Sequence, residues 1–414
     1  MEVVYERCAG LDVHKKSITA CRLTPQAGRG WQKEKRRFGT MTDELLQLAD
    51  WLRAGQVQAV AMESTGVYWK PVFNILESEF EVILVNARHI KYVPGRKSDV
   101  SDAQWIGELL QHGLLKASYI PEQPQRDLRD LIRYRTALIQ ERVREINRVQ
   151  KVLEDANVKL ASVASNVMGV SGREMLAAII AGKDDPQALA DLAKGRLRAK
   201  IPQLERALEG RVRDSHRILL QLHLEHVDDL SGKIVRLNEE IDQQIRPFDE
   251  DEQLRRLDEV PGVGRDVAQV ILAELGNDMS RFPSSAHAAS WAGLAPGKNE
   301  SAGKNRSGKI TPGNKHLKAA LVQAAHAVSR TKDNYLAAQF RRLASRRGKK
   351  RAAIAVAHSI LVIAYSMLRD GTDYHDLGGD YFEKRNKEQL QRHLVKRLER
   401  LGHQVSLQPV AAVT

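Results

Sequence analysis

The order of apolar segments before residue 121 constrains the fold of this 414-residue chain more than any other feature. Three runs of strand-like composition come first and predict an antiparallel meander: Cys8 to Val13, Ser17 to Leu23 and Trp31 to Phe38. One helical face follows, made of Leu45, Leu48, Ala49 and Leu52. The chain then alternates strand and helix through Val57 to Glu63, Tyr68 to Glu77 and Phe80 to Asn86. These segments predict an α/β domain.

Two of the predicted strands carry a single carboxylate each. Asp12 lies among small and β-branched residues in the first strand. Glu63 ends the fourth strand, immediately before the loop Ser64-Thr65-Gly66, which places it at the edge of the sheet. A lone acid is costly to bury, so both positions indicate that something compensates the charge.

A further pair, Asp99 and Asp102, begins a helix that we predict to run from an N-cap at Ser98 to about Gly113. Residues three apart share a helix face, and the helix dipole favours acids in the first turn. Alone, the pair is more simply an acidic helix start. Together with Asp12 and Glu63, these oxygen-only groups predict a site for Mg²⁺ or Mn²⁺, and a two-metal phosphodiester site is the resulting hypothesis.

Three antiparallel strands followed by alternating helix and strand are the order of a ribonuclease H-like fold. The segment resembles the RuvC-like domain of the DEDD transposases of bacterial insertion sequences, a group now described as bridge-RNA-guided recombinases. Its motif blocks are Gly10 to His14, Met62 to Trp69 and Lys97 to Ala103. The resemblance implies that all four acids, Asp12, Glu63, Asp99 and Asp102, are catalytic metal ligands.

Composition predicts a nucleic-acid partner. Lys and Arg total 65 against 52 Asp and Glu, a formal charge of +13, which favours a densely negative partner such as DNA. No apolar run is expected to reach membrane-spanning length, because Ala352 to Leu368 is short and interrupted, and no signal-peptide pattern opens the chain. We therefore expect a cytoplasmic protein. Cys8 and Cys21 lack zinc-type spacing and are expected to be core residues.

Between residues 124 and 250 the pattern predicts long charged helices. One has apolar residues at every seventh position: Ile132, Ile139, Ile146 and Leu153. The other repeats at fours and threes through Leu230, Ile234, Leu237 and Ile241. This spacing predicts that the two helices pair as a coiled-coil hairpin or dimerise. The basic face of the first helix is either solvated or in contact with nucleic acid.

The segment from Leu257 to Leu275 has the form of a helix-hairpin-helix turn. Gly262 and Gly264 would let backbone N–H groups approach a phosphate at the start of the next helix, a contact that reads the nucleic-acid backbone. An ordinary tight turn between helices is the alternative.

The block from Ala289 to Arg306 is rich in Gly, Lys, Arg and Asn in its second half, as expected of a loop along a phosphate backbone. By composition alone, Ser301 is an ordinary hydrogen-bonding loop residue. The block also resembles the C-terminal transposase domain of the same recombinases, whose Ser-Gly-Gly-Lys or Ser-Ala-Gly-Lys motif carries a catalytic serine. That resemblance implies that Ser301 is the nucleophile, with Ser307 as the fallback. Lys304 or Arg306 is expected to assist it.

The densest basic run includes Arg346, Arg347, Lys349 and Lys350. It is expected to contact phosphates of DNA or of a guide RNA, and a merely solvated helix end is the alternative. The predicted organisation is a RuvC-like metal-binding domain (1–123), a helical coiled-coil region (124–250), a mainly α transposase domain with the helix-hairpin-helix-like motif and the serine (251–371), and an accessory tail (372–414).

These features predict an insertion-sequence transposase that cuts and rejoins DNA with divalent metal and Ser301, as a dimer or tetramer. The resemblance further implies targeting by an element-encoded guide RNA. A metal-dependent structure-specific endonuclease, similar to a junction resolvase and using water, is the alternative enzyme. A non-catalytic nucleic-acid-binding protein is the alternative of another class, and the joint presence of the four acids argues against it.

Overall fold

The structure is a computed structural model that forms two compact units, Met1–Pro121 and Glu122–Thr414. Of residues 300–301, 304–305 and 389–390 it describes the backbone alone. The residues that it describes are 2–26, 28, 30–64, 66–86, 90, 101–249, 252–297, 300–301, 304–305, 310–385 and 387–407.

The first unit is built on one five-stranded sheet. Its strands are β1 (Cys8–Val13), β2 (Ile18–Pro25), β3 (Trp31–Phe38), β4 (Ala59–Glu63) and β5 (Glu81–Val85). Their order across the sheet is β3-β2-β1-β4-β5. The first three strands pair antiparallel, whereas β4 runs parallel to β1 and β5 runs parallel to β4. The predicted α/β unit and its antiparallel meander are therefore confirmed.

Helices cover both faces of this sheet: α1 (Thr42–Ala54), α2 (Trp69–Leu76) and α3 (Asp102–Gln111). One face packs Leu11 and Met62 against apolar residues of α1 and α2. The other face packs Cys8 and Cys21 against α3. Both cysteines are buried and free, as predicted. Burial raises the pKa of Cys8 to about 12 and that of Cys21 to about 11, so both are neutral core thiols.

The start of α3 differs from the prediction. The helix begins at Asp102, with Ser101 as its N-cap, and the Ser101 side chain accepts a hydrogen bond from the backbone N–H of Gln104 at 3.4 Å. The predicted N-cap at Ser98 is therefore wrong for this helix, because Ser101 satisfies the first-turn N–H instead. Ser98 and Asp99 lie outside the described residues.

The second unit is mainly helical, as predicted for the C-terminal part of the chain. A short two-stranded hairpin, β6 (Glu300–Ser301) and β7 (Lys304–Asn305), interrupts the helices. Short 3-10 helices occur at Gly195–Lys200, Arg246–Phe248 and Met279–Arg281. The α-helices are α4 (Gln123–Asp155), α5 (Leu160–Val163), α6 (Val170–Ile180), α7 (Pro186–Ala190), α8 (Ile201–Leu208), α9 (Asp214–Gln244), α10 (Gln253–Asp258), α11 (Arg265–Leu275), α12 (Ser285–Trp291), α13 (Lys315–Val328), α14 (Tyr335–Arg347), α15 (Lys349–Asp370), α16 (Tyr381–Arg385) and α17 (Lys387–Arg400).

The two predicted long helices, α4 and α9, pack antiparallel within the chain. Arg135 donates to the side chain of Asn238 at 3.1 Å near one end, and Asp155 lies 2.7 Å from His216 at the other. The contact face is not the predicted row of apolar residues alone. Arg135 and Glu145 are buried in it, whereas Ile139 and Ile146 are only half-buried. Supercoiled packing and dimerisation through these helices stay predictions.

Helix α15 is a core helix of the second unit. Residues such as Val356, Ile360 and Leu361 are buried within the unit. By length and composition, Lys349–Asp370 is nonetheless long and apolar enough to cross a membrane, so the expectation that no apolar run reaches that length is wrong. The most apolar 18-residue stretch of this helix is 56% buried, which is typical of the core helix of a globular protein.

Candidate catalytic and nucleic-acid site

Asp12 and Glu63 lie near the ends of two neighbouring parallel strands: Asp12 is the last residue but one of β1, and Glu63 is the last residue of β4. The register of β1 and β4 pairs Leu11 with Met62, and Asp12 and Glu63 are the next residue on each strand. Side chains alternate between the two faces of a strand. Because Leu11 and Met62 face α1 and α2, the two acids lie on the opposite face, which α3 covers. The structure thus brings these two predicted acids together.

Helix α3 runs along β1 in the opposite direction. The Cys8 thiol lies 3.7 Å from the Gly107 carbonyl oxygen, and a Cβ added at Gly10 would lie 2.1 Å from the carbonyl oxygen of Ala103. Asp12 is two residues further along the same strand face, toward the start of the helix. Asp102 is the first residue of α3. The absence of a side chain at Gly10 therefore lets the N-terminus of α3 approach the strand end that carries Asp12.

A histidine that the sequence analysis did not single out lies beside the first acid. The His14 Nε2 atom is 3.3 Å from Asp12 Oδ2, and the Asp12 side chain retains 28% of its exposure. Asp12 is thus reachable from solvent and has a potential cation next to it. His14 follows β1 directly, and its spacing of two residues from Asp12 is the signal in the sequence that would have indicated this pair, because residues two apart in an extended chain point to the same side.

The donor atoms fit a hard divalent cation in kind, because Asp12, Glu63 and Asp102 offer only carboxylate oxygens. Over the described part of the chain, no three His, Cys, Asp or Glu side chains are close enough to hold a metal ion. The fourth predicted ligand, Asp99, lies outside that part. The complete four-acid site therefore stays a prediction.

Ser301 lies on the short hairpin of the second unit. The register of β6 and β7 pairs Ser301 with Lys304 and Glu300 with Asn305. The predicted nucleophile and one of its predicted helpers are thus direct neighbours in the backbone. Arg306 and Ser307 lie outside the described residues.

Both ends of the segment that carries this hairpin are held together. Gly293 has a φ of +70°, and a Cβ added there would lie 2.8 Å from the backbone nitrogen of Gly313. The backbone N–H of Asn314 donates to the Trp291 carbonyl at 2.9 Å, and Pro296 forms a β-bridge with Ile310. The glycines therefore allow two backbone segments to meet at the base of the hairpin.

The glycine-rich turn between α10 and α11 gives its two glycines different surroundings. Gly262 has a φ of +85°, and a Cβ added there would lie 2.5 Å from the carbonyl oxygen of Ala324 on α13. Close packing therefore requires a glycine at this position. Gly264 is the N-cap of α11, and a Cβ added there would meet no atom of the described residues within 4 Å. The two glycines therefore differ: Gly262 is closely packed, whereas Gly264 has space beside it in the described part of the chain.

The sequence matches known transposases over both units. Residues 9–158 match the DEDD transposase family of IS110 type, and residues 254–341 match the family described as "Transposase IS116/IS110/IS902 family". The chain belongs to the IS110/IS116 family of transposases. The first match contains Asp12, Glu63 and Asp102, and the second contains Gly262 and Ser301.

Individual relatives of this transposase agree with that assignment. A "Probable family 20 transposase" of Pseudomonas aeruginosa is 26% identical over 79% of this chain and 89% of its own length. The "Transposase for insertion sequence element IS1328" of Yersinia enterocolitica is 23% identical over 88% of this chain and 97% of its own. The "Insertion element IS110 uncharacterized 43.6 kDa protein" of Streptomyces coelicolor is 36% identical, over 28% of this chain and 29% of its own.

The basic run of the transposase lies where two helices meet. Arg346 and Arg347 end α14, and Lys349 and Lys350 begin α15 after Gly348, which has a φ of +82°. All four cations are exposed, and none of them forms an ion pair with any residue that the structure describes. The N-terminus of a helix is the positive end of its dipole, so lysines there are repelled by it. An anion at this point would be attracted by the lysines and by the dipole together.

Proposed function

We propose that this transposase cuts and rejoins the DNA of its own insertion element in a serine-based reaction. In this proposal the first unit is a ribonuclease H-like, RuvC-like domain, and Asp12, Glu63, Asp99 and Asp102 hold Mg²⁺ or Mn²⁺. The observation that supports it most is the placement of Asp12 and Glu63 side by side near the ends of neighbouring parallel strands, on the face where α3 begins at Asp102.

Ser301 is the proposed nucleophile. Its hydroxyl oxygen attacks the scissile phosphorus and loses its proton, a phosphoserine diester forms, and one deoxyribose oxygen leaves and takes up a proton. Rejoining reverses these bonds and needs no external energy source. Lys304 and Arg306 offset negative charge on the phosphate during both steps. A bound divalent cation would supply further charge neutralisation and would orient the phosphate.

The nucleic acid is held, in this proposal, by sequence-independent contacts. Gly264 at the start of α11 offers backbone N–H groups to a phosphate, and the exposed run Arg346, Arg347, Lys349 and Lys350 offers positive charge. The formal charge of +13 supports binding of both DNA and an element-encoded guide RNA. Assembly into a dimer or tetramer and a cytoplasmic location complete the proposal.

The metal-binding half of the proposal is tested with single isosteric changes. Asp12→Asn and Glu63→Gln should reduce Mg²⁺-dependent cleavage of DNA carrying the element's ends to background, while DNA affinity is retained, because the metal ligands are removed and the basic surface remains. Asp43→Asn, an exposed acid in the first turn of α1, is the matched control and should cleave normally. Full Mg²⁺-dependent cleavage by Asp12→Asn would show that the acids do not bind the catalytic metal.

A further inference from the structure

A buried carboxylate lies outside every site assigned above. Glu274 on α11 is the lone acid in a stretch of apolar residues, and only 1% of its side chain is exposed. Arg133 on α4 donates to both of its oxygens, at 2.7 and 2.8 Å, and Arg129 lies 3.6 Å away. Burial opposes ionisation of Glu274, but the two arginines outweigh it and lower the pKa of the carboxyl. The group is therefore a carboxylate held by two guanidinium groups.

A fourth side chain connects this ion pair to the serine segment. The Asn314 amide Nδ2 donates to Glu274 Oε2 at 2.7 Å. The same side chain caps α13, because its Oδ1 accepts from the backbone N–H groups of His316 and Leu317 at 3.0 and 3.1 Å. The backbone N–H of Asn314 reaches the Trp291 carbonyl at 2.9 Å. One residue thus joins the buried carboxylate, the start of α13 and the end of α12.

Trp291 and Asn314 are the residues that bound the segment 292–313, which carries Ser301. The Arg129 guanidinium lies 5.9 Å from the centre of the Trp291 ring, so the ion pair also supports the other end of the segment. Gly293 and Gly313 meet directly inside these bounds. Contacts made by Glu274 and its partners therefore fix both points at which the serine segment leaves the helical core.

A contribution to stability does not by itself explain why Glu274 is buried with two arginines. A buried ion pair costs much of its attraction in desolvation, and apolar side chains of similar volume often stabilise a fold equally well. What a charged, fully hydrogen-bonded cluster adds is a fixed geometry. A misplacement of reacting groups by about 1 Å can slow a reaction by about 10²-fold. The geometry at the base of the Ser301 hairpin should therefore affect the rate of attack directly.

We infer that Glu274 is a positioning residue, which acts through Asn314 to hold the hairpin of Ser301 in the orientation that the attack requires. Arg129 and Arg133 fix the carboxylate, and the carboxylate fixes the Asn314 amide. The inference rests on the proposed role of Ser301.

The test separates this role from helix capping. Asn314→Ser keeps a hydroxyl that can cap α13 but removes the amide donor to Glu274. The matched control is Asn334→Ser: Asn334 caps α14 by accepting from the Ala337 N–H at 2.8 Å, and its amide donates to Thr331 at 2.7 Å. Both asparagines thus cap a helix and donate from the amide, but only Asn314 contacts Glu274.

Two measurements are made on the full chain. Hydrogen–deuterium exchange without DNA reports the backbone of residues 297–310, and single-turnover kinetics at saturating element-end DNA report formation of the protein–DNA adduct. Asn314→Ser should speed exchange in this segment and slow adduct formation by about 10- to 10²-fold, with DNA affinity unchanged. Asn334→Ser should leave both unchanged. Should Asn314→Ser not fold, Glu274→Gln is measured in the same way and should shift both readouts in the same direction.

The exchange measurement does not depend on the nucleophile. If Ser301→Ala still cleaves DNA, the serine mechanism fails, and faster exchange in Asn314→Ser still shows that the cluster holds the segment. The positioning role is overturned if Asn314→Ser exchanges like the control, or if exchange quickens while adduct formation keeps its rate.

Discussion

At the scale of single residues, the packing of α3 against β1 in the first unit requires a glycine at position 10, because there is no room for a side chain there. Helix α3 lies so close to β1 that a Cβ on Gly10 would come within 2.1 Å of the Ala103 carbonyl and 2.3 Å of the Gly107 nitrogen. Neither backbone atom can move without shifting the helix that begins at Asp102. Gly10 is thus required both for the packing of the core and for the approach of the helix start at Asp102 to the strand that carries Asp12.

We expect Gly10→Ala to lower the free energy of unfolding by about 1–3 kcal/mol, the usual cost of overpacking, and to weaken metal-dependent cleavage. Gly232→Ala is the control, because Gly232 lies in the interior of α9 and none of the residues that the structure describes has an atom within 4 Å of a Cβ added there. It should stabilise by about 0.4–1 kcal/mol. Chemical denaturation measures both. A Gly10→Ala variant as stable as the native protein would contradict the close packing.

The sequence predicts that Asp12 and Glu63 lie close together, and the strand register agrees, because each is a single acid in or at the end of an apolar strand. It misplaces the start of α3, because Ser98 and Ser101 are both good N-caps and each is followed by an acid. Packing of Ala103 against Gly10, a contact between residues far apart in the chain, is not readable from either serine. Glu274 is visible as a lone acid in an apolar helix, but its partners on α4 are about 140 positions away.

At the scale of elements, the pair formed by α4 and α9 contains a buried acid of its own. Glu145 on α4 is 3% exposed and lies 2.5 Å from His223 and 3.6 Å from His226 on α9, and 2.6 Å from Arg148. Burial opposes its ionisation, but the hydrogen bonds from His223 and Arg148 outweigh it and lower the pKa of Glu145. The spacing of apolar residues predicts the two long helices, but it does not show that polar groups fill part of the contact between them.

We expect Glu145→Gln to destabilise the protein by about 1–3 kcal/mol near neutral pH. A carboxyl with a lowered pKa adds stability above its unfolded pKa and loses it as the pH falls through its folded pKa. The difference between native protein and variant should therefore shrink in acid. Urea denaturation at about pH 7 and about pH 3 measures it. Glu239→Gln, an exposed acid on α9, should change little at either pH; a Glu145→Gln difference that does not vary with pH would contradict the assignment.

At the scale of the whole molecule, the excess of 13 positive charges favours the binding of nucleic acid, which is densely negative. Many cations are already compensated: Arg53, Arg173, Lys233 and Arg255 all lie in ion pairs. The run at the junction of α14 and α15 has no such partner among the residues that the structure describes. Phosphate binding should therefore concentrate there.

We expect replacement of Arg346, Arg347, Lys349 and Lys350 by Gln to flatten the salt dependence of duplex DNA binding. The slope of log K against log salt should fall by about 0.9 for each DNA phosphate that the variant no longer neutralises. Fluorescence anisotropy across a salt series measures it. The control replaces the four ion-paired cations Arg53, Arg173, Lys233 and Arg255 by Gln, which removes the same charge. An equal change of slope in both variants would mean that net charge, and not this surface, binds the DNA.

The proposed serine mechanism requires that Ser301 becomes covalently attached to DNA. Labelled DNA carrying the element's ends is incubated with the protein, Mg²⁺ and the proposed guide RNA, and is then run on a denaturing protein gel. Mass spectrometry of the digested adduct locates the modified residue. We expect a protease-sensitive shifted band with the phosphodiester on Ser301, still present in Ser307→Ala and absent in Ser301→Ala. Efficient cutting by Ser301→Ala with free hydroxyl and phosphate ends would rule out Ser301 as the nucleophile and would indicate attack by water, as in a junction resolvase.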